Sequence, residues 1–272
     1  MSRFLLDDET IKRISEELPD FDEMAMTVMK LAPDLISAKY DPHSNVPVAA
    51  VCLRDALNVL LQIRIGLNEC LQHKIWYREK SEPPSEQLAV IFMRFYIDGM
   101  VSRLYAAGEH LANAIISMLE ISEEQLSKYR KNRVSQQSII GHYLINEKRD
   151  HIITKAVHTL ISTDAWNKTI QYRNDVVHEQ PPTVSGLGTV YSRKRRWVKS
   201  ESEETVKLSL GGGDEPDYSI DEVLDFVKPS IFEFISLFEV VVDFYVDLIG
   251  KRSIDITDRG ISMNLLSFKD YQ

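Results

Sequence analysis

Residues 171–182 read Gln-Tyr-Arg-Asn-Asp-Val-Val-His-Glu-Gln-Pro-Pro and gather the side chains best suited to chemistry. Histidine is the side chain most easily tuned to trade a proton near neutral pH. Arginine keeps its charge and binds phosphate oxygens with a planar fork. Asparagine can orient either the histidine or a ribose hydroxyl. Arg173, Asn174 and His178 therefore suffice for metal-independent phosphodiester transfer, in which a ribose 2′-OH attacks the adjacent phosphorus. His178 would move the proton as general base or acid, and Arg173 would stabilise charge on the phosphorane. The competing reading is a plain helix cap, with His178 bonding the last carbonyls.

A helix must position these groups. Pro181 pushes Gln180 out of helical geometry, so the helix is expected to finish near His178. Thr163 and Asp164 offer its N-cap. Trp166, Ile170, Asn174 and His178 follow at steps of four, so an apolar stripe runs into two polar side chains that should point inward or at a partner. Arg173 and His178, five apart, sit about 140° around an ideal helix. They would flank one groove if the last turn unwinds or a second copy is apposed.

The surrounding sequence is that of a helical bundle. The first thirty residues suggest two short helices broken at Pro19, and residues 49–80 a long one carrying Leu60, Ile63, Leu67 and Leu71. Glu86 to Leu119 gives the strongest signal, with Met93, Ile97, Met100, Leu104, Gly108, Leu111, Ile115 and Met118 in one seam. Another face of that helix carries Arg94, Asp98, Ser102, Tyr105, Glu109 and Asn113, which reads either as solvated or as turned toward the site. Three shorter helices are expected between Glu123 and Val177, and a last long one from Tyr218, ended by Gly250. Between them, GTVYS, RRWVKS and TVKLSL are short β-favouring runs, which predict a hairpin or meander over about 186–210. The expected organisation is an N-terminal helical extension (1–46), an all-α bundle (47–250) with a β insertion (183–213), and a C-terminal tail (251–272).

The 272 residues are 44% apolar and 27% charged, a balance that excludes disorder and collagen-like repeats. A net charge of −9 means that any polyanion would need a local basic patch. Arg193, Lys194, Arg195, Arg196, Trp197 and Lys199 supply one, with a ring for stacking on a base, and could return over the motif as an RNA-binding flap. Eight acidic residues between Ser200 and Glu222 leave open a hairpin that pairs this basic strand internally. Lys128, Arg130, Lys131, Arg133, Lys148 and Arg149 form a second basic region, read as a solvated helix surface. No P-loop, G-x-G-x-x-G, HExxH or G-x-S-x-G is present, and no metal or other cofactor is expected. Cys52 and Cys70 form no CxxC pair and read as reduced core residues. The N-terminus lacks a signal-peptide core, and Ile231 to Gly250 is amphipathic, so a cytoplasmic protein without a membrane span is expected.

Tyr-Arg-Asn-Asp-Val-Val-His-Glu resembles the signature of the HEPN (higher eukaryotes and prokaryotes nucleotide-binding) domain: an Arg, usually followed by Asn, four to six residues and a His at a helix end. The resemblance spans roughly residues 85 to 250. It implies an HEPN-like helical bundle and a metal-independent endoribonuclease of a toxin or defence system, with two motif copies meeting across a homodimer. It also implies Arg173, Asn174 and His178 as the catalytic set, RNA as substrate, and restraint by an antitoxin protein. A supporting polar residue on an earlier helix is a family habit, for which Glu109 or Asn113 could serve. Some relatives have lost cleavage and act as RNA-binding, nucleotide-binding or dimerisation modules.

Overall fold

The computed structural model describes residues 6–37, 40, 42–130, 135–178, 181–187, 196–199, 204–207, 215–250, 252–257 and 260–265. Among the described residues ten α-helices run α1 (Asp8–Glu16), α2 (Asp22–Lys30), α3 (Pro33–Ser37), α4 (Val46–Ile75), α5 (Glu86–Met118), α6 (Glu123–Arg130), α7 (Gln136–Glu147), α8 (Ile152–Ile161), α9 (Asp164–His178) and α10 (Ile220–Ile249). The chain is an all-α bundle.

Helices α4 and α5 form its spine. Leu53, Leu57, Leu60, Ile63 and Leu67 of α4 are buried, as is the whole expected seam of α5 from Met93 to Met118. Apolar residues three and four apart make one face of each helix, and the two faces remove each other from water. Val46–Lys80, which continues α4 through a π-helical turn at Trp76–Lys80, is long and apolar enough to cross a membrane, with half of its apolar window buried inside the fold. Arg78 on that turn bonds Glu86 at the start of α5 and Asp221 at the start of α10, where Lys74 joins it. Three helix ends are thereby tied at one pole.

Helix α10 closes the other side. Ser219 and Glu222 form a reciprocal capping box at its start, and Gly250, at φ 81°, ends it in a conformation that favours glycine. Helix α9 is fixed to α10 by a buried polar cluster. Thr169 and Ser230 hydroxyls meet at 2.8 Å, and both reach the Phe226 carbonyl, at 3.2 and 2.8 Å. Trp166 stacks on Phe234, with centroids 5.9 Å apart.

Most of the meander expected over 186–210 lies outside the described residues. What is described are two four-residue strands, β1 (Arg196–Lys199) and β2 (Glu204–Lys207), paired antiparallel with Trp197 opposite Val206. The base of this excursion is well defined: Val184 bridges Tyr218, Thr183 Oγ1 donates to Asp217 Oδ2 at 2.8 Å, and Ser185 N–H donates to the Tyr218 carbonyl. Tyr218 packs edge-on to Tyr172 of α9 and Phe226 of α10, so the neck of the excursion is seated on those two helices. Within 251–272, β3 (Arg252–Thr257) and β4 (Gly260–Leu265) form a second antiparallel pair.

Candidate functional site

Helix α9 ends at His178, with Thr163 Oγ1 accepting from Trp166 N–H at its start. Its buried face, Trp166, Thr169 and Tyr172, sets the helix rotation. Tyr172 is fully buried and its hydroxyl donates to Asp98 Oδ1 at 2.7 Å. Burial, followed by the Asp98 charge and that hydrogen bond, pushes the Tyr172 phenol well above the usual tyrosine range. Asp98 also receives Arg94 Nε at 3.5 Å. The face of α5 carrying Arg94, Asp98, Tyr105 and Glu109 is thus turned toward α9 and α7, not simply solvated.

Next in sequence, Arg173 lies with its Cζ 3.9 Å from the centroid of the Tyr105 ring. The planar guanidinium is held by the ring's negative face. Its Nη1 donates to Asn174 Oδ1 at 3.1 Å and to His178 Nε2 at 3.0 Å. A guanidinium has only donors, so Nε2 accepts here. Arg173 and His178 therefore meet within a single chain. Neither an unwound turn nor a second copy is needed, because the arginine side chain is long enough to cover the angle that separates the two positions.

Arg64, Arg78 and Arg130 each pair with a carboxylate, but Arg173 has none within ion-pair distance among the described residues. Its Nε is buried without a hydrogen-bond partner among them. The cation is held by a ring, an amide and an imidazole, all neutral acceptors, so its charge stays available to an anion. Asn174 is half-buried and lines a cavity, whereas His178 is exposed.

Glu109 lies elsewhere than the motif: its carboxylate accepts from the backbone N–H of Gln136 at 2.8 Å and Gln137 at 3.4 Å, capping α7. Asn113, one turn further, is half-buried, and neither residue lines the cavity beside Asn174. The partners that do engage the motif are Tyr105 and, through Tyr172, Asp98. Both belong to the same i, i+3, i+4 series as Glu109, so spacing pointed to the face and not to the member.

Arg193, Lys194 and Arg195 lie outside the described residues, and Arg196 and Trp197 begin β1. In the second basic region, Lys128 pairs with Glu147 and Arg130 with Glu123, at 2.6 and 2.5 Å. Among the described residues no three His, Cys, Asp or Glu side chains converge to hold a metal ion. Comparison with known proteins finds no family model, no curated protein and no solved structure that matches the chain.

Proposed function

We propose that the protein is a metal-independent endoribonuclease of HEPN type, acting in a toxin or defence system. The observation that carries the reading is the direct Arg173–His178 contact around a cation that has no carboxylate partner among the described residues. A phosphodiester oxygen is a stronger acceptor than an imidazole nitrogen. When an RNA phosphate takes up Arg173 Nη1, His178 Nε2 is released with its lone pair. It can then accept the proton of the ribose 2′-OH as that oxygen bonds to phosphorus. The P–O5′ bond breaks and the 5′-oxygen takes a proton from water, while His178 returns its proton to solvent, leaving a 2′,3′-cyclic phosphate and a 5′-hydroxyl. Arg173 stays on the phosphorane oxygens, and Asn174 holds the guanidinium in register.

Two features support a shared site in a homodimer. Val177, Phe95 and Ile65 are large apolar side chains left exposed, at 46%, 70% and 62%, and Val177 adjoins His178. The second is the basic run Arg193, Lys194, Arg195, Arg196 and Trp197, fifteen to nineteen residues past His178 in the sequence, which on this reading contributes an RNA flap. A cytoplasmic setting and an antitoxin partner complete the proposal.

A second reading is a silent RNA- or nucleotide-binding or dimerisation module, favoured by the occupation of His178 Nε2 by Arg173. One experiment separates them: purified protein and a His178→Ala variant are incubated with total RNA and a labelled tRNA pool in EDTA. Cleavage by wild type alone, with 2′,3′-cyclic phosphate ends, establishes the ribonuclease. RNA that stays intact yet binds both proteins equally establishes the module.

A further inference from the structure

Beside Asn174 lies a cavity of about 410 Å³, open to solvent on one side and lined by α5, α7, α8, α9 and α10. Its walls are chiefly apolar, among them Leu111, Ile140, Val157, Trp166 and Phe234. Small residues border it, Ala112 on α5 and Gly141 on α7, whereas the space beside Gly108 is taken by the Gln137 side chain. A Cβ at Gly141 would meet nothing within 4 Å. Close-packed interiors seldom leave such space unused, and a mostly apolar hollow of this size with a few convergent polar groups is the usual form of a small-molecule site.

The polar groups are confined to Ser135, Gln137, Ser138, Tyr105 and Asn174. Among the described residues no Asp, Glu, Lys, Arg or His side chain lines the cavity. A charged ligand would therefore be desolvated without compensation, whereas a neutral one loses little. Asn174 is shared: the residue that lines the cavity also accepts from Arg173, which holds His178.

We propose that this cavity binds a small uncharged molecule with an apolar body and a single hydrogen-bonding head, and that the occupant acts on the Arg173–His178 pair through Asn174. A head that donates to Asn174 Oδ1 competes with Arg173 for that oxygen. The guanidinium then loses one of its two tethers, and the His178 ring changes its environment. This holds whether or not the motif cleaves RNA.

The test uses the full-length protein with indole and 1-hexanol as probes, and indole-3-carboxylate and hexanoate as charged counterparts. The uncharged probes should raise the melting temperature saturably by about 2 °C or more at ~1 mM, with the carboxylates at least about tenfold weaker. Nuclear Overhauser contacts should run from indole to the methyl groups of Leu111, Ile140 and Val157, and the His178 ring resonances should move in step with binding. Gly141→Leu, which fills the room from α7, should remove all three effects. If the variant does not fold, the Overhauser contacts in wild type still locate the probe. Absence of saturable binding to wild type, contacts to other methyl groups, or a folded Gly141→Leu that still responds would overturn the site. Binding that leaves His178 unmoved would overturn the coupling.

Discussion

The Tyr105 ring beneath Arg173 offers the sharpest test of how the motif is held. At 3.9 Å from Cζ to centroid, with both side chains half-buried, the stack lies between the exposed and the desolvated regimes of cation–π pairing. That places its worth at about 1–1.5 kcal/mol. Tyr105→Leu removes the ring's face but also alters packing, so the single variant is ambiguous. A double-mutant cycle with Arg173→Met, read by urea denaturation, isolates the pair, and a coupling energy of about 1–1.5 kcal/mol is expected. If Arg173 must be pre-positioned for phosphate, the same energy appears as roughly a five- to twelvefold loss of cleavage rate in Tyr105→Leu. Tyr105→Phe keeps the ring and should behave as wild type. The Arg173 Nε–H proton resonance, shifted upfield by the ring, supplies an independent readout: it should move downfield in the leucine variant only. A coupling below about 0.3 kcal/mol, within ordinary additivity, would refute the stack as a positioning device.

Other outcomes follow from neighbouring contacts. Tyr172→Phe deletes a buried hydrogen bond to a carboxylate and should cost about 1.5–3 kcal/mol in urea denaturation. Because the Tyr172 phenol is raised in the fold, its contribution is complete below the ordinary tyrosine value of about 10 and declines above it, so the variant's alkaline stability profile should be flatter. His151 caps α8, its Nδ1 accepting from Ile153 N–H at 3.2 Å, and burial together with nearby Lys148 lowers its pKa. That contribution is present above the ordinary histidine value of about 6.5 and is lost as pH falls, so wild type should lose stability between neutral and mildly acidic pH. His151→Asn keeps a capping acceptor without the titration and should flatten that limb. Gly141→Ala, with open space at the Cβ, should raise stability by about 0.5–1 kcal/mol through helix propensity, measurable as a higher melting temperature.

Periodicity made the helices legible because each buries one continuous face. The α5 seam from Met93 to Met118 is buried throughout, and α9 ends at His178, ahead of Pro181. The polar face of α5 was harder. Asp98, Tyr105 and Glu109 share one spacing but serve Tyr172, Arg173 and the α7 N-terminus respectively. Which helix crosses which turn depends on the packing of α7 and α9, and that is a tertiary fact. The Arg173–His178 contact was hidden for a different reason. Angular position on a helix locates the Cβ atoms, whereas contact depends on the reach and rotamer of a four-bond side chain. The cavity beside Asn174 left only the small residues Ala112 and Gly141 as a trace, and glycine in a helix reads first as a lapse in propensity.

On the proposed reading, the electrostatics of the motif would let an acidic chain address an anion. With a net charge of −9, a long-range field would repel RNA from most of the surface. Recognition must then be local, and a cation already neutralised by a carboxylate would contribute little to it. Arg78 is such a cation, engaged by both Glu86 and Asp221. Arg173 is held instead by the Tyr105 face, the Asn174 amide and the His178 ring. Those partners restrain the guanidinium without cancelling its charge, and an arriving phosphate gains the charge without having to displace an acid. The same arrangement keeps His178 in contact with the group that must leave it for the ring nitrogen to act. On the proposed reading, occupancy by phosphate and release of the base would be one event, which would confine proton transfer to the moment when a phosphodiester is in place.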